Sequence, residues 1–175
     1  MDKRYAVFTV LVISITYAWH KTRKPEGENM TQLRYFTAAE FGEWWPFMNP
    51  ALLAKIDRFR DLLGFAVALS PAPGAIGRRY GSTTSRHYYA GSGDTVDAVD
   101  VMPIWPNGGT PAELERAYKI AQQVGFTGIG LAPQWKPRAG LHVDVGQRTR
   151  AASWGYIATS NGQKTVTAEQ AIASA

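Results

Sequence analysis

The chain contains no cysteine in its 175 residues. This excludes disulfides, thiolate zinc sites and a cysteine nucleophile. Histidine is nearly as scarce: His20, His87 and His142 are the only three. Charge is modest at 19% of residues, with Lys+Arg 19 against Asp+Glu 14 for a net +5. That balance suits an anionic partner such as cell wall or a membrane surface. No dense basic run accompanies it, since Arg78-Arg79 is a pair and not a patch, so a nucleic-acid groove is not expected. There is no internal repeat. At this length the chain is one domain with a short appendage, large enough to bury a core without staples.

One long apolar run breaks this pattern. Residues 5–19, between Asp2-Lys3-Arg4 and His20-Lys21-Thr22-Arg23-Lys24, are almost wholly apolar. As a helix they would rise ~22 Å, short of the ~30 Å hydrocarbon core. No small-x-small cleavage site follows. Three readings stay open: a short signal-anchor giving membrane contact through residues 5–19, a buried element of the domain, and an extension upstream of a native start at Met30. The expected organisation is therefore 1–29 as apolar segment and linker, 30–158 as the domain, and 159–175 as a polar tail.

From Met30 onward the local signals predict an α+β fold with helices packed on a mostly antiparallel sheet. Thr37 and Glu40 form a capping-box pattern ahead of a short helix over 38–44. Asn49-Pro50 opens a better helix that Gly64 ends, with Leu52, Leu53, Ile56, Phe59, Leu62 and Leu63 on its apolar face. Residues 65–69 read as a buried strand. A Pro-, Gly-, Ser- and Thr-rich loop runs from Ser70 to Ser85. A strand over 97–104 follows, then a Thr110-Pro111 helix running to Gln123 or Val124. Strands are expected near 126–131, 140–146 and 153–158.

Two stretches carry chemistry. The first is Ser85-Arg86-His87, followed thirteen residues after the histidine by Asp100 in Ala98-Val99-Asp100-Val101. The second is Leu141-His142-Val143-Asp144-Val145. Alternate residues of a strand share a face, so His142 and Asp144 point one way and their valine and leucine neighbours the other. His87, Asp100 and His142 offer three N and O donors and leave a fourth position open, the pattern of a catalytic zinc site. The plain alternative is two hydrogen-bonded histidines, with Asp100 capping or pairing with arginine.

These motifs resemble those of the zinc D-Ala-D-Ala carboxypeptidases and their phage L-alanyl-D-glutamate endolysin relatives, which share a fold with the Hedgehog signalling domain. Ser85-x-His87 and Ala98-x-Asp100 match the halves of S-x-H-x-x-G-x-A-x-D, and His142-x-Asp144 matches the late H-x-D. Phe36-Thr37-Ala38-Ala39-Glu40-Phe41, Gly128-Ile129-Gly130 and Trp154-Gly155 fit the flanks, so the resemblance spans about residues 35–157. It implies a Hedgehog/DD-peptidase-like fold and Zn2+ held by His87, Asp100 and His142. It further implies a phage-encoded hydrolase acting on peptidoglycan stem peptides at the bacterial cell wall or periplasm.

Three departures shape the expectations. The His-to-Asp spacing is wider than the family's, so a segment such as residues 89–94 must loop out, and Asp94 is a rival to Asp100. The catalytic carboxylate expected three residues before the last ligand is replaced by Ala139. Asp144 is then either the general base or a group that orients the site. The usual Tyr-Arg after the first core strand is missing, so Arg78, Arg79 or Arg86 would supply positive charge, and Arg79 with Asp144 completes the candidate catalytic set. Tyr88, Tyr89, Trp105, Trp135 and Trp154 are candidates for a sugar or peptide groove, or for the core. A non-catalytic virion or wall-binding protein of the same fold is the competing reading.

Overall fold

The computed structural model describes residues 32–91 and 93–175. The apolar run at 5–19 and Met30 lie outside them. Among the described residues no helix is long and apolar enough to cross a membrane.

The helices start and stop where side-chain chemistry dictates. After α1 (Ala38–Phe41) a 3₁₀ turn occupies Gly42–Phe47. The single helix expected over 38–44 divides here because Gly42 turns to φ 57° and Pro46 supplies no N–H. In α2 (Pro50–Leu63) Asn49 accepts from Ala51 N–H at 2.9 Å, and Gly64 closes the helix in the left-handed conformation. Leu52, Leu53, Ile56, Phe59 and Leu63 are buried along one face. The third helix, α3 (Pro111–Val124), carries the Thr110–Glu113 capping box and ends on Gly125.

Six strands form one mixed sheet in the order β1-β2-β4-β3-β5-β6. They are β1 (Val67–Leu69), β2 (Ala98–Pro103), β3 (Gly128–Ala132), β4 (Gly140–Asp144), β5 (Ala152–Thr159) and β6 (Gly162–Val166). Only the β3–β5 pairing is parallel, which agrees with a mostly antiparallel sheet.

The C-terminal residues are not a tail. Thr159 pairs with Gly162 to close a tight hairpin, β6 runs back along β5, and α4 (Ala168–Ala173) follows a Thr167–Gln170 capping box. Ala168 and Ala171 are buried, and a Cβ on Gly155 would lie 2.2 Å from the Ala171 Cβ. The signals were present as Asn161-Gly162 and Thr-x-x-Gln, but the polar composition of the segment masked them. Leu33–Ala175 thus forms one compact unit.

The sheet has two unlike faces. Val99, Val101, Ile129, Leu131, Leu141 and Val143 are buried apolar residues that alternate with the site-bearing positions. Helices α3 and α4 both pack against β3, and α4 also against β5. Across the sheet, Asp100, His142, Gly130 and Trp154 occupy one register row on β2, β4, β3 and β5. Ala98, Asp144, Gly128 and Ala152 form the next row of the same face.

Candidate metal centre

His87, Asp100 and His142 converge on one point. His87 Nε2 lies 2.9 Å from His142 Nδ1, His142 Nδ1 lies 3.1 Å from Asp100 Oδ1, and His87 Nε2 lies 3.3 Å from the same oxygen. Bonds of 2.0–2.1 Å to a tetrahedral cation place its donor atoms about 3.3 Å apart. The three separations are therefore at or slightly inside the edges of a coordination tetrahedron. The trio lies close enough to bind a metal ion. Asp94, the rival ligand, belongs to a turn, where its N–H donates to Gly91 O and its Oδ2 accepts from Ala90 N–H.

Each donor is held by backbone pairing. Asp100 and His142 are direct partners across β2 and β4. The loop after β1 clips the remaining edges: Ser70 N–H donates to Asp100 O, Asp100 N–H to Ala75 O, and Arg78 N–H to His87 O. His87 N–H also donates to Ser85 Oγ at 3.3 Å, which gives the serine of the S-x-H stretch a structural task. The Pro- and Gly-rich composition of this loop suits a path that must pair with two separate segments in succession.

Electrostatics bind the cluster together. Burial raises the Asp100 carboxyl, but hydrogen bonds and charge from His142 and His87 outweigh it and hold the group below its usual value. Burial lowers His142, but its hydrogen bonds to Asp100 and Asp144 and their negative charge leave it above the ordinary histidine value.

Asp144 is fully buried directly beneath His142. Its Oδ2 accepts from His142 Nε2 at 3.1 Å and from Arg148 Nη2 at 2.8 Å. Its Oδ1 accepts from Arg148 Nη1, from Gly146 N–H at 3.0 Å and from Thr127 Oγ1 at 3.2 Å. A carboxylate offers about four lone-pair positions, so none is left over. Burial raises this carboxyl, yet the His142 and Arg148 bonds prevail and hold it far below the usual carboxylate range.

The cluster lies in a cavity of about 390 Å³. Arg78, Ser85 and Arg86 contribute to its lining from the loop after β1, Trp135 from the connection between β3 and β4, and Trp154, Tyr156 and Gln163 from β5 and β6. Trp154 tilts against the His142 ring at 5.3 Å, and Trp135 and Tyr156 lie nearly parallel at 6.5 Å. Trp154 can cross the sheet only because Gly130 has no side chain, since a Cβ there would meet its Nε1 at 2.7 Å.

Several residues named from the sequence stand elsewhere. Arg79 is exposed and absent from the cavity lining; its guanidinium lies over Trp44, Phe47 and Tyr89 at 5.2, 5.6 and 5.5 Å. The structure thus does not bring this candidate to the His87–Asp100–His142 cluster; its cation is held over three aromatic faces instead. Tyr89 belongs to that cluster. Trp105 is buried, donating from Nε1 to Ala139 O. Tyr88 lines a neighbouring hollow with Asp94 and Asp97. Conversely, Arg148, Tyr156 and Gln163 reach the cavity unforeseen. For Arg148 the available signal was its position four residues after Asp144; for Tyr156 it was the strand face shared with Trp154 two residues earlier; Gln163 lies in β6, within the segment expected as a polar tail.

The chain matches no protein-family model, no curated protein and no solved structure.

Proposed function

We propose that this protein is a zinc-dependent peptidoglycan peptidase with a Hedgehog/DD-peptidase-like fold. The observation that carries the reading is the convergence of His87 Nε2, His142 Nδ1 and Asp100 Oδ1 within the lining of a substrate-sized cavity. Two imidazole nitrogens and one carboxylate oxygen are the donors that zinc accepts, and three protein ligands leave room for one more. When bound there, the cation would act as a Lewis acid toward a peptide carbonyl and a water.

The chain's own residues supply the rest. Asp144, with every lone pair engaged, orients His142 and does not act as the proton acceptor. Arg78 is the cation offered to an oxyanion or substrate carboxylate. Arg148 is committed to Asp144, and Arg86 Nη2 donates to Gln147 O at 3.2 Å. Among the described residues the Arg78 side chain bonds only Ser85 Oγ, at 2.7 Å through Nη2, and its buried Nε meets no partner. Trp135, Trp154 and Tyr156 present apolar faces against which a stem peptide or a sugar ring can pack. The place of action in this reading is the bacterial cell wall.

One observation favours a second reading, a non-catalytic wall-binding or virion protein that keeps the metal. Among the described residues, Asp100 and Asp144 are the only carboxylates lining the cavity. Ala139, where a catalytic carboxylate would stand, is buried. The two readings separate in one experiment. The full chain, loaded with Zn2+, is incubated with purified peptidoglycan and the soluble products are identified by mass spectrometry, with His142→Ala as control. New stem-peptide fragments absent from the control support the peptidase and identify the bond. Zinc binding without fragments across several peptidoglycan types supports the binding protein.

A further inference from the structure

We infer that Arg148 is a positioning residue for the cation: by holding both oxygens of Asp144 it makes His142 present Nδ1, not Nε2, to the metal. The inference rests on the metal reading of the site.

An imidazole carries its ring proton on one nitrogen and a lone pair on the other, and the hydrogen bond made by one nitrogen decides which is which. His142 Nε2 faces Asp144 Oδ2 at 3.1 Å. An ionised carboxylate only accepts, so it keeps the proton on Nε2 and leaves the Nδ1 lone pair for a cation held together with Asp100 and His87. This works only while the buried Asp144 carboxylate is held in that orientation. Arg148 holds it through a fork of two bonds, from Nη1 to Oδ1 and from Nη2 to Oδ2. Thr127 Oγ1 and Gly146 N–H complete Oδ1. The arginine therefore acts on the metal through two intervening side chains.

Two further features point the same way. The outer nitrogen of His87, Nδ1, is buried without a partner among the described residues, so the carboxylate support falls on His142 alone. On β3, a Cβ at Gly128 would lie 2.0 Å from Asp144 Oδ2 and 2.9 Å from Arg148 Nη2. Space for the ion pair is thus reserved by the sheet itself, beside the space that Gly130 leaves for Trp154.

The test uses the purified full chain and the metal alone. Zn2+ affinity is measured by chelator competition for wild type, Arg148→Met, Arg148→Lys and Gly128→Ala. Loss of outer support for a metal-bound histidine typically costs about 10–100-fold in affinity, and Arg148→Met should fall in that range. Arg148→Lys, which keeps the charge but not the fork, should lie between it and wild type. Gly128→Ala should weaken binding without removing either charge. In parallel, nitrogen NMR of the zinc-loaded proteins reads the His142 ring, where wild type should show metal on Nδ1 and a slowly exchanging Nε2–H. That proton should exchange faster in the Arg148 variants.

If Arg148→Met is folded and binds Zn2+ as tightly as wild type, the inference is wrong. If Arg148→Met does not fold, Arg148→Lys decides in the same way. Metal on Nε2 of wild-type His142 also overturns it. Failure of wild type itself to bind any divalent ion would overturn the metal reading, and this inference with it.

Discussion

Asp100 and His142 face each other across adjacent antiparallel strands, with Oδ1 and Nδ1 3.1 Å apart. Two of the three candidate ligands are thus fixed by sheet register, and a sheet position is more rigid than a loop position. The third, His87, arrives from a loop that is itself stitched to the Asp100 strand, through Ser70 N–H to Asp100 O and Asp100 N–H to Ala75 O. This asymmetry orders the expected effects of mutation.

Removing a sheet ligand should abolish binding. His142→Ala and Asp100→Ala are each expected to lose Zn2+ affinity beyond detection in calorimetry, because two donors remain of three. His87→Ala should also fail to bind, yet with little loss of fold, since among the described residues the polar contacts of its side chain are to His142 and Asp100. Comparing metal titrations with thermal unfolding separates these outcomes, and a His87→Ala protein that binds Zn2+ like wild type would remove His87 from the ligand set.

Asp144→Asn distinguishes orientation from base catalysis. In the proposed peptidase an orienting group acts through metal affinity, so the variant should bind Zn2+ about 10–100-fold more weakly and regain most of the proposed activity at saturating Zn2+. A general base would instead leave affinity intact and depress kcat by about 10²–10⁴-fold, with no rescue by metal. Titrating activity against free Zn2+ reads the difference.

The pH dependence has a definite sign. His142 is held above its ordinary value near ~6.5 by Asp100 and Asp144. Its contribution to stability is complete below about pH 6.5 and is lost as pH rises through the raised folded value. Asp100 and Asp144 are held low, so their contributions are present above ~3.9 and disappear as pH falls through their lowered values. The metal-free protein should therefore show a stability plateau between about pH 4 and 6.5 and a decline on the alkaline side. Zn2+ competes with the His142 proton, so its affinity should climb over the range where stability declines. Unfolding scans with chelator and with Zn2+ test both, and a metal-free Tm that rises from pH 6.5 to 9 would contradict the first.

Arg79→Ala should leave Zn2+ affinity unchanged. Its guanidinium sits over Trp44, Phe47 and Tyr89 on an exposed stretch, a contact worth about 0.5–1 kcal/mol at such sites. Arg78→Ala should lower activity at unchanged stability if Arg78 meets the developing charge. Paired kinetics and denaturant titrations of the two variants check this, and a larger activity loss for Arg79→Ala would reverse the assignment.

The helix caps were readable because they are local. Asn49, Thr110 and the terminal glycines satisfy backbone groups within a turn of themselves. The common face of His142 and Asp144 was readable because strand periodicity is local too. The C-terminal hairpin and helix were lost because a polar composition resembles a tail until Gly155 and Ala171 are seen in contact.

The remainder belonged to tertiary structure. Spacing left Asp94 and Asp100 as rivals; strand register sets Asp100 opposite His142, while Asp94 lies in a turn. Nothing in the order of residues placed Arg79 on an aromatic cluster or Arg78 at the cavity. Sequence by itself determined the donor types, the α+β class and the face on which chemistry would lie, since each depends on residues within one element. Only the folded sheet decided which donors meet, what orients them, and why Gly128 and Gly130 lack side chains. Those are distances between segments far apart in the chain, and no local pattern encodes them.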